Sequence, residues 1–97
     1  MTKYYVYLLI SGKNNKFVTY VGYTNNIKRR LELHNSSKGA KYTRGKKWKI
    51  LYKEAYSSKS IAMSREYSLK KNKKFRNLLK ESFLKKSSIR KNSIMNK

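Results

Sequence analysis

Apolar and polar positions change period along this chain, and each change marks an element. Lys3 to Ile10 is a near-continuous run of Tyr, Val, Leu and Ile. That run predicts a strand buried on both faces. Alternation puts Tyr5, Tyr7 and Leu9 on one side and Tyr4, Val6, Leu8 and Ile10 on the other. Ser11 to Lys16 is a turn cluster, and Phe17 to Val21 predicts the returning strand of a hairpin. Val18, Tyr20 and Gly22 share a face of it, and Gly22 is expected to turn the backbone sharply or to pass close to a partner. Asn26 reads as the cap of a helix from Ile27 to about His34 or Asn35. Trp48 to Tyr56 predicts a third strand, with Trp48, Ile50, Tyr52 and Tyr56 on one side. Ser57 or Ser58 caps a second helix from about Lys59 to Lys71, with Ala62, Glu66 and Leu69 on one face and Met63 flanking. Asn72 caps a third, from Lys73 to about Lys85, with Phe75, Leu78, Leu79 and Phe83 inward.

The order β-β-α-β-α-α predicts an α+β fold, a small three-stranded antiparallel sheet flanked by helices. Residues 1–85 are expected to form one domain. Residues 86–97 are expected to be a basic, disordered tail.

Two helical faces break their own apolar pattern. Ile27, Arg30, Leu31 and His34 follow an i, i+3, i+4, i+7 spacing, yet one is a fixed cation and one is the single histidine of the chain. A charge on a face meant for a core must meet something, and a phosphate is the expected partner of this face. Glu66 repeats the contradiction on the second helix.

Charge sharpens that expectation. The 97 residues hold 26 Lys and Arg against 4 acids, a net charge of +22. Such an excess favours a polyanionic partner, nucleic acid (DNA or RNA) first, through release of condensed counterions, and an anionic membrane second. No stretch approaches the roughly 18 consecutive apolar residues of a membrane span. No leader is evident, and cysteine is absent, which together point to the cytoplasm. Nothing in the pattern speaks to oligomeric state. Asn35 to Lys47 lacks an apolar period and reads as a basic loop. Lys38, Lys41, Tyr42, Thr43, Arg44, Lys46 and Lys47 are its candidate nucleic-acid contacts.

Tyr5-Val6-Tyr7, Tyr20-Val21-Gly22, Arg30 eight residues past that glycine, and Glu66 on a later helix together resemble the GIY-YIG nuclease domain. The resemblance covers about residues 3 to 80, and the element order is also that family's. Gly39-Ala40-Lys41-Tyr42-Thr43-Arg44 and Arg65-Glu66-Tyr67-Ser68-Leu69-Lys70-Lys71 resemble its small, single-domain bacterial branch. The resemblance implies a metal-dependent endonuclease acting on DNA, directed to branched or damaged structure. It matches Tyr7 and Tyr20 to the motif tyrosines, Arg30 to the helical arginine, His34 to the polar residue four positions on, and Glu66 to the metal-binding glutamate. Tyr5 stands where the name motif has Gly. The Asn that many members add near the end has no assigned counterpart, although Asn72 and Asn77 are available.

The residue inventory suits one-ion chemistry. Asp is absent and the four Glu are scattered, so a two-metal carboxylate cluster is hard to build. One Mg²⁺ or Mn²⁺ on Glu66 is what the chain can supply. Arg30 offers a fork that matches phosphate oxygens. Tyr7 or Tyr20 could orient or deprotonate a water, but a phenol's ordinary pKa of about 10 would have to be lowered by nearby cations. His34 could share that role. Each residue has a plainer reading. The tyrosines could be core aromatics, Arg30 could snorkel, His34 could cap, and Glu66 could pair with a Lys, which its apolar stripe argues against. The alternative function is a basic nucleic-acid-binding module without catalysis.

Overall fold

β1 (Tyr4–Lys13) is the central strand of an antiparallel sheet of order β2-β1-β3, with β2 (Lys16–Thr24) and β3 (Lys49–Tyr56) on its flanks. The structure, a computed structural model, describes residues 3–13 and 16–95, with side chains as far as Lys86. Three helices complete the fold: α1 (Ile27–Asn35), α2 (Lys59–Lys71) and α3 (Lys73–Met95). A single 3₁₀ turn, Lys41–Thr43, lies between α1 and β3. The predicted order and class are observed.

The continuous apolarity of β1 has a direct cause. Val6 to Ser11 is buried throughout, because helices cover both faces of the strand. On one face Val6, Leu8 and Val21 meet Ala62 and Leu69 of α2, with Phe75 and Leu79 of α3 packed alongside. On the other, Tyr7, Leu9 and Trp48 meet Ile27 and Leu31 of α1. Each fully buried Leu contributes about 1.5–3 kcal/mol. The caps also match the sequence. Asn26 Oδ1 accepts the Arg29 N–H at 3.1 Å, Ser58 Oγ accepts that of Ile61 at 3.3 Å, and Asn72 Oδ1 accepts that of Phe75 at 3.0 Å.

Several boundaries differ from expectation. The hairpin ladder runs to Lys13↔Lys16, into the expected Ser11–Lys16 turn; Asn14 and Asn15 lie outside the described residues. β2 continues through Gly22 to Thr24, because the β1 ladder extends to Tyr5↔Thr24 and its backbone bonds outweigh the glycine signal. β3 does not keep one face. Leu8 pairs with Tyr52 and Leu9 with Ile50, so Leu51 is an inserted residue. A bulge reverses side-chain alternation. Trp48 and Ile50 therefore face α1, while Tyr52 and Tyr56 face α2 and α3. Leu78 is exposed rather than inward, because α3 meets the sheet along its Phe75–Leu79 line. The helix runs on past Lys85 to Met95, where disorder was expected. No Gly or Pro follows Gly45 to stop it. Asn96 and Lys97 lie outside the described residues.

One polar network pins α2 to the sheet. Arg65 donates two hydrogen bonds to the Glu54 carboxylate, at 2.8 and 2.9 Å, and the Tyr52 and Tyr56 hydroxyls each donate to it at 2.5 Å. The Arg65 bonds, helped by those of the two tyrosines, hold Glu54 down at about pKa 2 against the opposing effect of burial. Arg65 immediately precedes Glu66, so this clamp fixes to the sheet the turn of α2 that carries Glu66. Among the described residues, no helix is long and apolar enough to cross a membrane.

Candidate active site

The site begins where β1 and β2 pair. Tyr7 lies opposite Gly22. A Cβ on Gly22 would sit 2.6 Å from Tyr7 Cζ and closer still to its hydroxyl. Gly22 is thus the floor on which the Tyr7 ring rests, not a turn. The Tyr7 hydroxyl meets His34 Nε2 at 2.9 Å, and His34 Nδ1 meets Thr43 Oγ1 at 2.8 Å. The Thr43 hydroxyl in turn donates to the Ala40 carbonyl at 2.8 Å. His34 and Thr43 are both fully buried.

Three contacts hold the loop over His34. A Cβ on Gly39 would lie 2.5 Å from His34 Nδ1, so only glycine lets the chain pass there. Trp48 Nε1 donates to the Thr43 carbonyl at 3.0 Å. The Asn35 amide accepts from the Trp48 N–H at 2.6 Å and donates to its carbonyl at 3.1 Å, tying the end of α1 to the start of β3.

Burial sets the electrostatics. It pushes the Tyr7 hydroxyl up to about pKa 12, overriding Arg30, which pulls the other way; Tyr20 and Glu66 add to the rise. Deprotonation of a water by the phenol would have required cations to bring it down, but desolvation wins in so dry a position. His34 moves below the ordinary histidine value, first through burial and then through the Arg30 charge. At neutral pH the pair is therefore a neutral phenol beside a neutral imidazole.

Tyr7, Tyr20, Arg30 and His34 come together, and Glu66 is near enough for its charge to act on Tyr7. Tyr7 of β1 is close enough to Arg30, Tyr20 and Glu66 to feel all three, and the Tyr20 ring centroid is 5.1 Å from that of His34. Of the α1 face expected to meet phosphate, only Arg30 is free to do so. Ile27 and Leu31 pack on the sheet and His34 is buried, because a small sheet needs that helix as its second cover. Arg30 lines two adjoining clefts, with Arg29 in one and Lys59 in the other. Its Nε is buried and has no hydrogen-bond partner. Glu66 does pair with Lys70, at 3.5 Å one helical turn away, contrary to the argument from its apolar stripe. The contact is long and Lys70 is half-exposed, so it holds the carboxylate loosely.

In the loop, Lys38, Lys41, Tyr42, Arg44, Lys46 and Lys47 are exposed. Tyr42 stacks on Tyr20, with centroids 6.1 Å apart and planes at 21°, and Lys46 Nζ lies 5.6 Å from the Tyr42 ring. Thr43 is the exception. It was expected at the nucleic-acid surface, but its side chain is turned inward to His34, since a hydroxyl can satisfy the ring where a neighbouring Lys or Arg could not. Sequence reasoning missed the Asn35–Trp48 tie and the Glu54–Arg65 clamp, whose partners lie far apart in the chain. Gly39 was visible as a glycine of the basic loop, though not as the residue that admits His34.

Family comparison adds to this geometry. The family described as "GIY-YIG catalytic domain" matches residues 3–80. The UPF0213 protein SH2523 of Staphylococcus haemolyticus is 48% identical over 71 residues, covering 72% of this chain and 83% of that protein. The UPF0213 protein OB0043 of Oceanobacillus iheyensis is 42% identical over 77 residues, covering 78% of this chain and 86% of that one. The solution NMR structure of the UPF0213 protein BH0048 from Bacillus halodurans is 38% identical, covers 78% of this chain and 82% of its own, and gives a TM-score of 0.42. The matched region spans Tyr7, Tyr20, Gly22, Arg30, His34 and Glu66, and with it this chain belongs to the GIY-YIG family of nuclease domains.

Proposed function

We propose that this protein is a divalent-metal-dependent endonuclease that hydrolyses DNA phosphodiester bonds, directed to branched or damaged DNA in repair or recombination in the cytoplasm. The nuclease unit is residues 1–85, and residues 86–97 add positive charge. The observation that carries the reading is the Arg30 side chain. Its guanidinium acts on the Tyr7 hydroxyl through a hydrogen bond and its charge, yet its Nε is buried without a hydrogen-bond partner among the described residues. An unsatisfied buried donor of that kind costs about 1–3 kcal/mol, and a phosphoryl oxygen would satisfy it.

The residues divide the work. Arg30 grips the phosphoryl oxygens and stabilises the charge that builds on them. Tyr7 is too weak an acid to act as a preformed phenolate, so it relays. As water attacks phosphorus, the water proton passes to the Tyr7 oxygen and the Tyr7 proton passes to His34 Nε2. The new O–P bond forms as the bond to the leaving oxygen breaks, and that oxygen takes up a proton from solvent water. Tyr20 packs beside His34 and shields the relay. Glu66 is a lone hard carboxylate, and among the described residues no group of three or more His, Cys, Asp or Glu could hold an ion. That donor set fits one Mg²⁺ or Mn²⁺ completed by water and substrate oxygens. When bound, the ion would stabilise charge on the phosphoryl and leaving oxygens. The exposed cations of the loop bind the DNA backbone.

The test is incubation with supercoiled, single-stranded and branched DNA, and with RNA, in Mg²⁺, Mn²⁺ or chelator. Nicking that needs the ion is expected. Glu66→Gln and Arg30→Ala should stop it while DNA still binds. Wild-type nicking by either variant would overturn the site. Binding with no metal-dependent nicking by the unaltered protein would leave a basic binding module instead.

A further inference from the structure

The hydrogen-bond chain behind Tyr7 runs in one direction only. Its last member is the Ala40 carbonyl, which can accept but never donate. The Thr43 hydroxyl must therefore give its proton to Ala40, at 2.8 Å. What remains on Thr43 Oγ1 toward His34 is a lone pair. Nδ1, 2.8 Å away, must then carry the ring hydrogen. In a neutral imidazole that leaves Nε2 bare, and Nε2 faces the Tyr7 hydroxyl at 2.9 Å. Tyr7 consequently donates inward, which leaves the lone pairs of its oxygen to accept, from Arg30 among others.

We propose that Thr43 is a positioning residue: its hydroxyl, held by the Ala40 carbonyl, locks His34 in the Nδ1–H tautomer, so that Tyr7 meets substrate water only as a proton acceptor. The opposite tautomer would donate to Tyr7 from Nε2 and leave the Tyr7 proton aimed at the substrate, where it blocks attack. Thr43 touches neither water nor phosphate. It acts through two intermediates, as the orienting carboxylate of a hydrolytic triad does. The surroundings serve that purpose. Trp48 fixes the Thr43 carbonyl, Asn35 fixes Trp48, and Gly39 admits the chain beside the ring. The basic loop is then more than a contact surface, since the residue that orients the proton relay lies between its exposed Tyr42 and Arg44.

The inference rests on the nuclease reading for its catalytic consequence but not for its structural one, and the two are separable. His34 is the only histidine in the chain, so a long-range ¹H–¹⁵N correlation spectrum of the full protein reports its tautomer without assignment. Near neutral pH, Nδ1 should show a pyrrole-type shift and Nε2 a pyridine-type shift. Thr43→Val should lose that pattern and lower kcat for nicking of supercoiled plasmid by roughly 10²-fold, the low end of what a misdirected general base costs, with KM little changed. Thr43→Ser should restore both. An Nε2–H tautomer in the unaltered protein overturns the proposal, as does a Thr43→Val protein that keeps the Nδ1–H signature. If Thr43→Val fails to fold, the unaltered protein and Thr43→Ser still decide it, because a Ser variant with the wrong tautomer sinks the hydroxyl argument. The expected tautomer in a protein that cuts no nucleic acid would sink the nuclease reading and leave the hydrogen-bond assignment standing.

Discussion

Replacing Glu54 by Gln should cost this protein a measurable and pH-dependent share of its stability. The substitution keeps the volume, removes the counter-ion of Arg65 and takes one acceptor from the two tyrosines. Folding lowers the Glu54 pKa from 4.5 to about 2, chiefly through the Arg65 hydrogen bonds. Each unit is worth about 1.4 kcal/mol, so the shift corresponds to roughly 3 kcal/mol at most. The two side chains are 29% and 14% exposed, and solvent screening trims the expected loss to about 2 kcal/mol. A depressed carboxylate pKa stabilises above its unfolded value and loses that contribution as pH falls through its folded value. Urea denaturation of both proteins should therefore show a gap of about 2 kcal/mol at neutral pH. The gap should hold down to about pH 5, narrow below that, and close near pH 2. With four acidic side chains in the whole chain, few other groups compete for this signal. A neutral-pH gap under about 0.5 kcal/mol, or a gap that ignores pH, would refute the claim that this pair clamps α2 to the sheet.

Three further outcomes are expected. Arg30→Met should stabilise the fold by about 1 kcal/mol, because it removes a buried donor with no partner, while nicking falls by 10²-fold or more; a less stable variant that still cuts would contradict this. Gly22→Ala should destabilise by roughly 1–3 kcal/mol through collision with the Tyr7 ring, and should shift the His34 ring resonances; an unperturbed His34 spectrum would show that Gly22 does not support Tyr7. Lys41→Gln combined with Arg44→Gln should reduce the slope of log affinity against log salt by about 2; an unchanged slope, measured by anisotropy with labelled DNA, would take the loop out of the interface.

Much of this protein was legible in one dimension. The apolar run of β1, the three Asn and Ser caps and the α2 boundaries follow from local propensity, and local propensity survives folding. The nearness of Tyr7 to Tyr20 and Arg30 was expected from the motif residues together. The tertiary structure decided the rest, for reasons of register and burial. The insertion at Leu51 shifts the β3 ladder against β1, and no local pattern announces where a partner strand will slip. Thr43 looks like a surface residue between two exposed neighbours until the loop folds over His34. Glu54 and Arg65 belong to different elements with different periods, and only the docking of α2 joins them. The Tyr7 pKa turned on the same distinction: the neighbouring charges could be counted in the chain, whereas the dryness that outweighs them exists only once the sheet and helices close around the hydroxyl.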